Sequence, residues 1–218
     1  MRLQSAIFDM DGTLLDSMPT WRELGPAFLR EAGIPATPEQ EQMLRTMTDH
    51  EVIPYLREVC GLPWSEQEIM DKIIARMEDF YSTAVRPKPG LEKFLSILKM
   101  EGVWMYVATA THRRLTEKAL KTAGIDHYFR GIVTSADAGN HKSESADIYE
   151  MAMRRLQSNK RDTVVFEDAL HAIRTAKAAG FRVAGVYEAT AEQDQPEIQR
   201  LCDYYIRSYE ELVQSETF

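Results

Sequence analysis

The chain begins with a short apolar run, Ala6-Ile7-Phe8, that breaks at the polar sequence Asp9-Met10-Asp11-Gly12. A run of this length, bounded by a turn signal, reads as a buried strand. No comparable run follows before residue 87. Apolar positions instead recur at helical spacing around Trp21 to Ala32, Pro38 to Met47, Glu51 to Val59 and Glu66 to Thr83. Ser65 and Glu68 form the signature of a capping box that opens the last of these helices. Gly61, Pro63 and the stretch Pro35-Ala36-Thr37-Pro38 punctuate the block.

At Arg86-Pro87-Lys88-Pro89-Gly90 the pattern changes to helix and strand in alternation. The spacing predicts a helix over Leu91 to Met100 before the strand Val103 to Ala108, and a helix over Leu115 to Ala123 before Gly131-Ile132-Val133. A helix over Ala146 to Leu156 then precedes Thr163-Val164-Val165-Phe166. Another, over Ala169 to Ala179, stops at Gly180 ahead of Val183 to Val186. Tyr204-Tyr205-Ile206 and a short last helix close the series. Short continuous apolar strands between helices imply a parallel sheet covered on both faces. The expected fold class is therefore α/β, a doubly wound and mainly parallel sheet, with a small all-helical cap inserted after the first strand. The expected division is a core over 1–15 and 88–218 and a cap over 16–87.

Composition narrows the class. The 218 residues are 44% apolar and 28% charged, which suits a soluble globular chain. No apolar run approaches the length of about 20 residues that a membrane span needs. The start of the chain lacks the pattern of a signal peptide, so the expected location is the cytoplasm. Cys60 and Cys202 stand far apart and outside any metal-binding spacing, and they read as reduced, buried thiols. A net charge of −8 disfavours nucleic acid as a partner, because a basic patch is missing: His112-Arg113-Arg114 and Asn159-Lys160-Arg161 are too short. The expected partner is a small phosphorylated molecule. The chain is expected to be a monomer, with a weak dimer as the alternative.

In open parallel sheets, ligands bind beyond the carboxyl ends of the strands. The first strand ends in Asp9-Met10-Asp11-Gly12-Thr13, the second in Thr109-Ala110-Thr111 and the fourth in Glu167-Asp168, while Lys142 lies in the loop after the third. In an extended chain Asp9 and Asp11 point the same way, about 7 Å apart. One carboxylate can then attack phosphorus while the other moves a proton. Oxygen ligands at this density suit Mg²⁺. Four carboxylates and a phosphate dianion repel one another strongly, and a divalent ion with one lysine offsets much of that repulsion. Uncatalysed phosphate-monoester hydrolysis is so slow that enzymes accelerate it by up to about 10²¹. Proton transfer supplies only about 10²–10⁴ of this, so metal, nucleophile and electrostatics must act together.

Phe8-Asp9-Met10-Asp11-Gly12-Thr13-Leu14-Leu15-Asp16-Ser17 closely resembles the first motif of the haloacid dehalogenase-like superfamily. Val107-Ala108-Thr109 resembles its second motif, Lys142 its third and Phe166-Glu167-Asp168-Ala169 its fourth. The resemblance implies a phosphatase working through an aspartyl-phosphate. It makes Asp9 the nucleophile and Asp11 the proton donor and then the base. Thr109 and the amide of Ala110 would hold phosphoryl oxygens, and Lys142 would neutralise charge. Asp9, the main-chain carbonyl of Asp11, and Asp168 would bind Mg²⁺, with Glu167 helping through water. The cap would hinge near Leu15-Asp16 and Arg86 to Pro89.

The chain departs from the family pattern in two places. The family often shows Lys-Pro-x-Pro-Asp after the third strand; here the sequence is Lys142-Ser143-Glu144-Ser145-Ala146-Asp147. Ala172 stands where a glycine is usual, read as a packing change. The alternative reading is a mutase of the β-phosphoglucomutase type. Such mutases tend to carry a cap histidine shortly after the first motif, and Asp16 to Arg22 contains none. True dehalogenases lack the second aspartate, so Asp11 argues for phosphoryl chemistry. A receiver-type phosphoacceptor module is a distant alternative; such modules are about half this length and have no cap. Within the cap, Trp21, Arg22, Arg45, His50, Arg57 and Trp64 are candidate substrate contacts. Against that, the tryptophans read as core and the arginines as solvated.

Overall fold

A computed structural model describes residues 3–47 and 49–215. The chain divides into two compact units, one running up to Asp16 and resuming at Tyr81, the other Ser17–Phe80.

The first unit holds a six-stranded sheet. Its strands are β1 Ser5–Phe8, β2 Trp104–Thr109, β3 Ile132–Thr134, β4 Thr163–Glu167, β5 Arg182–Val186 and β6 Tyr204–Ile206. They lie in the order β3-β2-β1-β4-β5-β6, and every adjacent pair is parallel. β1 is thus central, with Phe8 abreast of Val107 on one side and of Phe166 on the other. All four residues of β1 are buried, as a strand covered on both faces requires. On one face, Ile7, Val165 and Val183 join a core with Ile148, Tyr149, Ile173 and Ile198, drawn from the helices Asp147–Arg155, Leu170–Ala178 and Gln195–Leu201. On the other, Phe8 stacks on Phe166 with centroids 4.3 Å apart. Phe94, from the helix Leu91–Met100, packs against Phe166 and against Tyr209, which opens the helix Tyr209–Ser215.

The turn after β1 is built from backbone bonds. Leu14 and Leu15 both donate to the carbonyl of Met10, and Gly12 donates to Leu15. Gly12 sits at φ 80°, a conformation that a side chain disfavours. The returning chain pairs with this turn, Asp16 donating to Arg86 and Lys88 to Leu14.

The second unit carries the helices Met18–Glu31, Pro38–Thr46, Asp49–Pro54 and most of Glu66–Thr83. The expected helix over Glu51 to Val59 is two pieces: after Pro54 the chain continues as a π-helix, Tyr55–Val59, with the Cys60 amide reaching the Tyr55 carbonyl. Proline has no N–H and crowds the preceding turn, so the ordinary ladder cannot continue through it. Ser65 and Glu68 make the expected reciprocal cap. Equivalent boxes at Thr37/Gln40 and Thr134/Asp137 went unforeseen. So did the short helix Ser135–Ala138 and the helix Gln195–Leu201. Cys60 and Cys202 are free thiols, half-buried rather than buried. No helix among the described residues is long and apolar enough to cross a membrane.

Candidate active site

Because β1 lies between β2 and β4, the carboxyl ends of these strands meet where the connection reverses direction, the usual place for a ligand crevice. Asp9 follows β1 and is fixed by its amide, which donates to the Phe166 carbonyl at 3.0 Å. Glu167 ends β4 and Asp168 follows it. Asp9, Glu167 and Asp168 are all buried, and each offers a carboxylate oxygen within 4.8 Å of the others. Lys142, also buried, donates to Oδ1 of Asp9 at 2.5 Å and to Oε2 of Glu167 at 2.9 Å.

Supporting hydroxyls surround this group. Thr13 donates to Oδ1 of Asp168 at 2.7 Å, and Tyr149 donates to Oε2 of Glu167 at 2.7 Å. The Tyr209 hydroxyl donates to the Thr13 carbonyl at 3.2 Å. Lys88 donates to Oε2 of Glu188 at 2.8 Å beyond β5.

The electrostatics follow from burial. Asp9 is pushed well above the usual carboxylate range, first by loss of solvent and then by the charge of Glu167, with Lys142 opposing. Asp168 is pushed up to about 7 by burial and Glu167, against the Thr13 hydrogen bond and the charge of Lys88. Burial alone would pull Lys142 down, but Asp9 and Glu167 more than offset it and hold the ammonium charged. Tyr149 is raised by burial and by Glu167. Three buried carboxylates facing one bonded ammonium are short of positive charge. A divalent cation that prefers oxygen ligands fits this donor set, and Asp9, Glu167 and Asp168 are the residues placed to hold it.

Asp11 lies apart from that carboxylate triad. Its Oδ1 accepts from the Tyr81 hydroxyl at 2.6 Å and its Oδ2 from the Thr111 hydroxyl at 2.7 Å. Thr109 is buried at the end of β2, and its hydroxyl accepts from the Thr111 amide at 3.1 Å, while Ala110 between them is exposed. The sequence patterns single out Asp9, Lys142, Glu167 and Asp168, which the structure brings together, and Asp11, which it places against Tyr81 and Thr111. They did not point to Tyr81, Tyr149 or Tyr209. Tyr81 continues the i, i+4 series Ile69, Ile73, Met77, all buried, and such a stripe looks like plain core.

Four of the cap candidates are engaged within their own unit. Arg45 pairs with Glu23 and Glu41, Arg57 with Glu66, and Arg22 donates to the Met47 carbonyl. Trp64 packs edge-on against Phe28 with Lys72 over its ring. The side chain of His50 lies outside the described residues. Beyond β2, Arg113 bonds Asp137 and the Ile132 carbonyl.

A parallel sheet thus carries an acidic, lysine-bridged cluster at its carboxyl edge. The chain belongs to the haloacid dehalogenase-like hydrolase family, whose profile matches residues 6–186. The phosphorylated carbohydrates phosphatase of Thermotoga maritima is 26% identical over 185 residues, spanning 84% of this chain and 85% of its own. Hexitol phosphatase B of Escherichia coli is 26% identical over 214 residues, spanning 97% and 95%. Among solved structures, a CbbY variant from Rhodobacter sphaeroides in complex with xylulose-(1,5)bisphosphate matches with TM-score 0.79 at 23% identity over 96% of each chain, a likeness of fold.

Proposed function

We propose that the protein hydrolyses a small phosphate monoester, a phosphorylated sugar or sugar alcohol, through an aspartyl-phosphate on Asp9 with Mg²⁺ as cofactor. The observation that carries this reading is the buried cluster of Asp9, Lys142, Glu167 and Asp168 at the carboxyl edge of β1 and β4. The substrate class is supported by the relatives' names, one a phosphatase of phosphorylated carbohydrates and one of hexitols.

In this mechanism a carboxylate oxygen of Asp9 attacks phosphorus and the bond to the leaving oxygen breaks. Asp11 gives that oxygen its proton. Water then attacks the phosphorus of the aspartyl-phosphate, Asp11 takes a proton from it, and Asp9 and inorganic phosphate are released. Thr109 and the amide of Ala110 hold phosphoryl oxygens, and Lys142 balances charge between Asp9 and the phosphate. Asp9, Asp168, Glu167 and the Asp11 carbonyl would hold Mg²⁺, which would supply charge stabilisation for the phosphoryl oxygens. The unit Ser17–Phe80 acts as the specificity-bearing cap.

Asp9→Asn tests the nucleophile: turnover of p-nitrophenyl phosphate should fall to background with the fold intact, and retained turnover would refute the assignment. A panel of phosphorylated sugars, read by phosphate release, identifies the substrate. Conversion of β-glucose 1-phosphate without phosphate release would mark a mutase instead.

A further inference from the structure

One feature of the site without an assigned role is the pair of hydroxyls on Asp11. We infer that Tyr81 and Thr111 are positioning residues that clamp the Asp11 carboxyl in the orientation needed for proton transfer; this rests on Asp11 being the acid and base of the reaction. Each carboxylate oxygen receives one hydroxyl, Oδ1 from Tyr81 at 2.6 Å and Oδ2 from Thr111 at 2.7 Å. Two donors on opposite oxygens fix both the position and the plane of the group, which a single bond would leave free to rotate.

The clamp is itself rigid. The Tyr81 side chain is fully buried, and it stands where the chain re-enters the sheet-bearing unit after Phe80. Thr111 is braced from two sides: its amide donates to the Thr109 hydroxyl at 3.1 Å, and its carbonyl accepts from the Thr116 hydroxyl at 3.2 Å. The chemistry suits a group that must change protonation state. A hydroxyl donates to a carboxylate and can turn to accept from a carboxylic acid, so the same two partners serve both halves of the cycle.

A positioning role for the acid predicts a dependence on the leaving group. Phenyl phosphate needs its leaving oxygen protonated far more than p-nitrophenyl phosphate does. At fixed saturating Mg²⁺, Tyr81→Phe and Thr111→Val should each lower kcat/KM for phenyl phosphate about tenfold while changing that for p-nitrophenyl phosphate less than about twofold. Asp11→Asn should show the same selectivity, only larger. Circular dichroism checks the fold; Thr111, half-exposed, supplies the test if Tyr81→Phe does not fold. Equal losses on both substrates, or none, in the two hydroxyl variants would overturn the clamp while a selective loss in Asp11→Asn leaves the function of Asp11 standing. A non-selective Asp11→Asn would overturn the acid–base reading and the clamp together.

Discussion

Thr13 and Asp168 stand 155 positions apart in the chain, and the Thr13 hydroxyl donates to Oδ1 of Asp168 at 2.7 Å in a fully buried contact. The bond holds one oxygen of a carboxyl that burial and Glu167 otherwise push towards its neutral form. Groups that orient a metal's ligands are typically worth about 10–100-fold in metal affinity. Thr13→Val should therefore raise the Mg²⁺ concentration for half-maximal activity about tenfold or more. Maximal rate at saturating Mg²⁺ should stay close to that of the parent. A Mg²⁺ titration of phosphatase activity reads both.

Lys142 compensates two buried carboxylates at once. Removing one partner from a buried ionic group costs about 3–5 kcal/mol, because the remaining charge is stranded. Lys142→Met should lose that much in urea denaturation without metal, and added Mg²⁺ should recover part of it. Its hydrolytic rate should be near background even when folded. A variant as stable as the parent in chelator would show that the carboxylates are satisfied in another way.

Metal removal offers an independent reading of the acidic cluster. A ligand that binds only the folded state stabilises it by about 2.7 kcal/mol at a hundredfold excess over its Kd. Mg²⁺ should raise the melting temperature of the parent. Asp168→Asn should abolish most of that rise, because it removes one of the three clustered carboxylates. Chelator should silence activity, and replenished Mg²⁺ should restore it.

Gly90 begins the helix Leu91–Met100 at φ 80°, and a Cβ there would overlap the backbone nitrogen of Glu210. Left-handed geometry costs an ordinary residue about 1–2 kcal/mol, and the overlap would push the helix Tyr209–Ser215 off its neighbour. Gly90→Ala should lower the melting temperature by about 4–8 °C, the shift expected for about 2 kcal/mol in a chain of this size.

Asp203 provides a pH-dependent contribution remote from the site. Burial tends to raise its carboxyl, but the Lys177 ammonium and the Val183 amide, both at 2.7 Å, hold it below the ordinary value. A depressed carboxyl stabilises the fold fully above its unfolded pKa of about 3.9, and the stabilisation drains away as pH falls through the lower, folded value. Asp203→Asn should reduce stability at pH 7 and flatten the acid limb of a melting curve taken from pH 7 to pH 3. Parallel acid limbs would show that the carboxylate contributes nothing.

Local pattern made much of the fold legible. The helices Glu66–Thr83 and Leu91–Met100 and the strand Tyr204–Ile206 have the bounds their periodicity predicts. The helix Ser135–Ala138 escaped because one turn is too short to show a period, and the break after Pro54 escaped because apolar spacing does not register a lost donor. In the site, Asp9 was legible because a charged group at a strand end carries its chemistry in its identity, and Lys142 because it resembles the family's third motif. Tyr81 and Tyr149 were not. A tyrosine on a buried helical stripe satisfies the hydrophobic pattern whether or not its hydroxyl does anything.

The sequence by itself determined which segments are helix and strand, that the sheet is parallel, and which acidic and basic residues would stand at strand ends, since each of these follows from residue type and short-range spacing. Tertiary structure alone decided that β1 lies between β2 and β4, and therefore that Asp9 meets Glu167 and that the hydroxyls of Tyr81 and Thr111 converge on Asp11. Those meetings depend on how elements far apart in the chain pack to bury their apolar faces, and hydrophobic burial is non-directional, so it leaves no mark in the local pattern of which hydroxyl will face which carboxylate.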